Sequence, residues 1–176
     1  MQYTNKNFSV LAISYGHEAN ASIMVNGKLV ASVAEERFTK NKCQMNYPKN
    51  SINYCLKFSG IKANDLNIIA IVSKNDLMEQ NLVNRIDSFS IKDFLSEQYD
   101  YWRPIIYKKK KIDYLSVFKH KINLKQHFDF REYLRLRKKN KKIKDHIKIF
   151  EKMRINTVIK HLRIKDKKKI VHVEHE

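Results

Sequence analysis

Residues 8–40, FSVLAISYGHEANASIMVNGKLVASVAEERFTK, carry the pattern that decides the fold. Residues 8–15 are apolar and β-branched enough for a buried strand. Ala21–Val25 and Leu29–Ala34 are two further apolar runs, joined across Asn26-Gly27. Asn-Gly between two such runs predicts a two-residue hairpin, because both residues accept the positive φ that the tight turn requires. The third run ends at the polar Glu35, Glu36 and Arg37. Three strands thus begin the chain, and the turn between the first two holds a histidine, His17. Read from the turn alone, a lone histidine is more often a solvated turn residue than a catalytic one.

Further along, Pro48, Asn50 and Ser51 open a predicted helix with Ile52, Cys55 and Leu56 along one side and Gly60 as its C-terminal cap. The turn KANDLN leads into IIAIVS, a short apolar, β-branched run that predicts a buried strand. From Asn75 the character changes. Ser90 with Asp93 marks a helix start, and Pro104 is expected to break whatever precedes it. Ile143, Ile147, Phe150, Met153, Val158 and Leu162 recur near helical spacing, which predicts an amphipathic helix over 141–163 with a lysine-rich outer face. IVHVEHE, residues 170–176, returns to a strand pattern and stops there. The expected organisation is an αβ core start over 1–74, a basic helical insertion over 75–168 and a returning core strand over 169–176, together an incomplete α/β domain.

Composition narrows the classes. The 176 residues are 43% hydrophobic, enough for a core, and no run of about 18 apolar residues predicts a membrane span. The polar start MQYTNKNFSV does not resemble a secretory signal, and two cysteines, Cys43 and Cys55, are too few and too far apart for a CxxC motif. Reduced thiols and a cytoplasmic location are the expectation. With 3 glycines there is no GxGxxG or GxxxxGK phosphate loop. The net charge of +18 is uneven: residues 103–169 hold 25 Lys and Arg against 6 Asp and Glu, and the remainder is close to neutral. Aromatic residues interleave with that block, as on some RNA-binding surfaces, but no recognised nucleic-acid motif accompanies them, and charge runs are usually solvated faces. The alternative to an enzyme is a basic module that binds RNA or a protein partner.

Three stretches together carry a family resemblance. VLAISYGHEANASIMVNGKLVASVAEERFTKNK (10–42), YPKNSINYCLKFSGI (47–61) with DLNIIAIVS (65–73), and the final IVHVEHE resemble, in order, the N-terminal portion of the NodU/CmcH-type O-carbamoyltransferases. The resemblance implies an actin-like ATPase (ribonuclease H-like) core belonging to a longer enzyme. In that family a separate region makes carbamoyl-adenylate from carbamoyl phosphate and ATP, and the actin-like part passes the carbamoyl group to a hydroxyl of a sugar or other small molecule. It implies that His17 is catalytic, as a base on the acceptor hydroxyl or as a group orienting the carbamoyl carbonyl. It implies that His175 is the first ligand of an HxxxH pair holding a divalent metal, iron or similar, whose partner would fall four positions on. By the same resemblance this chain alone is expected to lack activity. Glu18, Lys40 and Glu176 depart from the family pattern, where an aspartate, an arginine and a second histidine are usual. Read from spacing, His172 and His175 would face opposite sides of a strand and could not share a metal. Adjacent Glu35 and Glu36 would likewise point apart, one buried against Arg37 or Lys40 and one solvated.

Overall fold

The structure, a computed structural model, describes residues 8–15, 18–72, 89–121, 130–139 and 146–174. Its core is a five-stranded mixed sheet in the order β3-β2-β1-β4-β5. Strands β1 (Ser9–Ser14), β2 (Asn20–Val25) and β3 (Lys28–Ala34) form the antiparallel start that the sequence pattern predicts. Asn26 and Gly27 take φ of 51° and 78° at the hairpin tip, so both adopt the left-handed backbone the turn demands. Strands β4 (Ile68–Val72) and β5 (Ile170–Val173) continue the sheet parallel to β1. The Asn67 side chain accepts a hydrogen bond from the Ser9 N–H at 2.8 Å, and its own N–H donates to the Ser9 carbonyl at 3.1 Å, which pins the start of β4 to the start of β1.

One sheet face is buried along β1, β2, β4 and the start of β5. Leu11, Ile13, Ala21, Ile23, Ile69, Ile71 and Ile170 alternate inward along their strands, as period-two side-chain geometry requires. Helix α2 (Lys49–Ser59) packs on β2 and β3, seating Ile52 and Cys55 in this core, and Gly60 caps it at φ 69°. The Cys55 thiol donates to the Ala21 carbonyl at 3.4 Å, and burial pushes its pKa up to about 11. Before α2, a single helical turn, α1 (Glu36–Thr39), follows β3 directly. Glu35 and Glu36 therefore lie on a helical turn and not on a strand, which removes the opposite-face argument drawn from the sequence.

The described residues fall into two compact units, Met1–Asp76 with Asp129–Glu176, and Leu77–Phe128. In the second unit, α3 (Ile91–Ser96) starts with a complete capping box: the Ser90 hydroxyl accepts from the Asp93 N–H, and the Asp93 carboxylate accepts from the Ser90 N–H at 2.8 Å. Lys121 donates to the same carboxylate at 2.7 Å, and these donors hold Asp93 well below the usual carboxylate range. Pro104 does not break the helix as expected. A π-helical turn, Glu97–Trp102, joins α3 to α4 (Arg103–Lys108), which carries Pro104 in its first turn. The widened turn changes the hydrogen-bond register just where proline lacks a donor, so the helix continues. Tyr114, in α5 (Tyr114–Phe118), donates to the Glu97 carboxylate at 2.8 Å, and burial beside that carboxylate pushes the phenol pKa up.

In the first unit, α6 (Phe130–Lys139) packs on α7 (His146–Leu162), which leads into β5. Phe150, Met153, Val158 and Leu162 are buried as the spacing predicts, while Ile143 and the Ile147 side chain lie outside the described residues. Among the described residues no helix is long and apolar enough to cross a membrane.

Candidate functional site

The two strands that lead towards the histidines of interest end in one row. Ser14 of β1 is in register with Val72 of β4, and Val72 with Val173 of β5, at the carboxyl ends of three parallel strands. Open α/β sheets bind their ligands at that edge. His17 lies three positions beyond Ser14 and His175 two beyond Val173 in the chain, and both fall outside the described residues. The structure instead describes what flanks residues 16 and 17 on either side.

On the incoming side is Tyr15, 1% exposed. Its ring meets that of Tyr47 at 5.4 Å between centroids, and the Arg154 guanidinium sits 5.0 Å from its centre. Arg154 comes from α7 and is completely buried, at 0% exposure. A guanidinium over an aromatic ring gains electrostatic attraction that grows to about 2 kcal/mol or more when water is excluded. Tyr47 is held in turn: its hydroxyl lies 2.8 Å from Nδ1 of His161, and the imidazole meets its ring edge-on at 5.3 Å. Burial and the nearby Lys49 charge lower the His161 pKa, with Glu35 opposing them. A neutral imidazole with its proton on Nε2 accepts a hydrogen bond from the Tyr47 hydroxyl at Nδ1.

On the outgoing side both polar groups of Ala19 are bonded. Its N–H donates to the Gln44 carbonyl at 2.8 Å and its carbonyl accepts from the Glu35 N–H at 2.8 Å. Glu35 is itself buried, and its carboxylate is fully engaged. Oε1 accepts from the Asn50 N–H at 3.0 Å and from Nδ2 at 2.8 Å; Oε2 accepts from the Ser51 N–H and hydroxyl, each at 2.8 Å. The capping position of α2 is Pro48, whose side chain offers no acceptor. Glu35 supplies that acceptor from fifteen residues away and places a negative charge where the helix dipole is positive. The sequence expectation of an Arg37 or Lys40 partner for Glu35 is thereby corrected: peptide N–H groups, an amide and a hydroxyl take that place. Glu36 accepts the Cys43 N–H at 3.0 Å, and the Thr39 hydroxyl bonds the Gln44 side chain. Gln44, Met45, Asn46 and Tyr47 form a buried strap that reaches Ala19 at one end and Tyr15 at the other.

This arrangement presents the chain on both sides of residues 16–17 on fixed supports, which is what a positioned acid–base group requires. His172 stands in β5 opposite Ile71, half-buried. Among the described residues no three His, Cys, Asp or Glu side chains come together to hold a metal, so the described residues offer no metal site of their own.

Sequence reasoning passed over Tyr15, Tyr47, Arg154 and His161. Arg154 had a signal: it falls four residues after Phe150 and four before Val158, on the apolar side of α7.

Comparison with known proteins identifies the family. The family described as Carbamoyltransferase N-terminus matches residues 9–175. An uncharacterized protein of Synechocystis is 39% identical over 66 residues, 37% of this chain and 11% of its own length. The nodulation protein NolNO of Sinorhizobium fredii is 30% identical over 76 residues, 41% of this chain and 11% of its own. An uncharacterized protein of Methanocaldococcus jannaschii is 31% identical over 62 residues, 35% of this chain and 12% of its own. The matched region is thus about a tenth of each of these curated relatives. A match that runs from the first strand to the last carries the assignment: this chain belongs to the carbamoyltransferase family, as its N-terminal region.

Proposed function

We propose that this region, on an actin-like core, takes part in passing a carbamoyl group from carbamoyl phosphate, by way of carbamoyl-adenylate, to a hydroxyl of a small molecule, with His17 as the base. The acceptor oxygen attacks the carbamoyl carbon, the bond from that carbon to the adenylate phosphate oxygen breaks, and AMP leaves. The hydroxyl proton passes to the neutral imidazole. The observation that supports this reading is the double support of the β1–β2 connection. Tyr15 is held by Tyr47 and Arg154 on one side, and Ala19 by Gln44 and Glu35 on the other. Fixed flanks keep a general base within reach of one proton, and such a base contributes about 10²- to 10⁴-fold. ATP serves the adenylate-forming step elsewhere in the enzyme. A divalent metal at His175 belongs to the same reading, but no step here runs through it.

In the natural protein that carries this sequence, His17→Asn should lower carbamoyl transfer by at least about 10²-fold. ATP-dependent adenylate formation, followed by pyrophosphate release, should stay at the wild-type rate. Transfer that survives the substitution overturns the role of His17, and failure of both steps would point to misfolding, which circular dichroism checks.

A further inference from the structure

Three aromatic rings lie in sequence on the surface of the first unit. Phe38 of α1 meets Tyr54 of α2 at 5.9 Å between ring centres, and Tyr54 meets Phe58 at 5.7 Å with planes 21° apart. They are 42%, 42% and 61% exposed, although the core of the same helix is fully buried. Every large apolar side chain exposed on α1 and α2 is one of these three. Around them basic residues predominate, with Glu36 the acid of α1. From Arg37 to Asn64 the chain has 6 basic residues and no acidic one, and all 6 are exposed. Arg37 adjoins Phe38, Lys40 ends α1, and Lys57 lies on α2 between Tyr54 and Phe58. Of the nearest acids along the chain, Glu35 is buried on the α2 N-terminus, Glu36 accepts the Cys43 N–H, and Asp65, just past this stretch, is exposed.

We infer that this face binds single-stranded nucleic acid, with unpaired bases stacking on the rings and phosphates meeting the flanking lysines and Arg37. Three neighbouring π-faces with cations on their margins and no exposed acid among them are the elements of a stacking platform that does not read sequence. A second copy of this chain is disfavoured by the like charge it would bring, +18 on each. A bilayer is disfavoured because two of the rings keep more than half their surface against the protein and cannot insert. An acidic protein would satisfy the charge, but aliphatic anchors would suit it as well, and the patch has none. These residues lie outside the basic run over 103–169 in the sequence, and the inference does not depend on the carbamoyl-transfer reading.

The test is fluorescence anisotropy of the 176-residue chain with a labelled 15-nucleotide oligouridine, repeated across salt concentrations. Phe58→Ala and Tyr54→Ala should each weaken binding roughly 5- to 150-fold, the effect of losing one base–ring stack. Phe58→Trp, which keeps a ring at this position, should bind at least as well as wild type. Lys57→Gln should flatten the slope of log affinity against log salt by about 0.7. A duplex of equal length, whose bases are already stacked, should bind more weakly. Binding untouched by ring removal, or matched by the duplex, by polyglutamate of equal charge or by phosphatidylserine vesicles, overturns the proposal. So does no binding at low salt. The ring positions are exposed, so thermal melts of the variants should stay close to wild type.

Discussion

The hydroxyl of Tyr47 lies 2.8 Å from Nδ1 of His161, across 114 positions of sequence. The contact ties the end of the last core helix to the strap that supports Tyr15, and so joins two distant parts of the chain at the carboxyl edge of the sheet. It also makes the fold sensitive to protons. The folded His161 has a pKa below its ordinary value of 6.5.

The sign follows from linkage. Between the folded pKa and 6.5 the unfolded chain binds more protons at this position than the folded one, so stability rises with pH there. The contribution of neutral His161 is whole above pH 6.5 and is lost as pH falls through the folded pKa. Urea denaturation from pH 7.5 down to about 5 should show His161→Gln losing less stability on acidification than wild type. Superimposable pH curves for the two proteins would refute this.

Glu35→Ala should be among the most damaging single changes. It removes an acceptor of four hydrogen bonds and exposes the first turn of α2 without a cap. Hydrogen bonds to a charged group contribute about 1.5–3 kcal/mol each and are not additive, so a loss of roughly 3–5 kcal/mol is expected. Glu35→Gln keeps one acceptor oxygen but turns an NH2 towards donors, and should recover only part of that. A urea midpoint within error of wild type for Glu35→Ala would be the contrary result.

The two thiols should separate cleanly. Cys43 is exposed, whereas Cys55 is buried with its pKa pushed up to about 11. Native protein at pH 8 should take up one iodoacetamide at Cys43 within minutes and leave Cys55 unmodified until denaturant is added. Peptide mapping that finds both labelled at equal rates in the folded state would contradict the placement of α2.

Arg154→Ala should cost about 2–4 kcal/mol, combining the desolvated attraction to Tyr15 with the cavity left under α7. Near-ultraviolet circular dichroism should change too, because Tyr15 and Tyr47 lose a fixed neighbour. A neutral effect on both readouts would mean that Arg154 does not support Tyr15.

Much of the architecture was legible in advance because the signals are local. Asn26-Gly27 dictates a hairpin through backbone φ alone, Gly60 ends a helix for the same reason, and Ser90 with Asp93 caps one within four residues. Pro104 misled because proline's effect depends on its hydrogen-bond register, which the π-helical turn before it altered. Glu35 misled because its partners, Asn50 and Ser51, are fifteen and sixteen residues away.

Taken by itself, the sequence determined the three-stranded antiparallel start, the helix and strand that follow it, the positions of His17 and His175 in the chain, and the family resemblance that stands. Only the tertiary structure decided which groups support the connection around His17: Arg154 over Tyr15, His161 on Tyr47, and Glu35 on the first turn of α2. Turns and caps are set by a few neighbouring dihedrals and can be read from adjacent letters. Burial of a charge is set by where distant segments meet, and an arginine in a lysine-rich helix reads like its solvated neighbours until the sheet is beneath it.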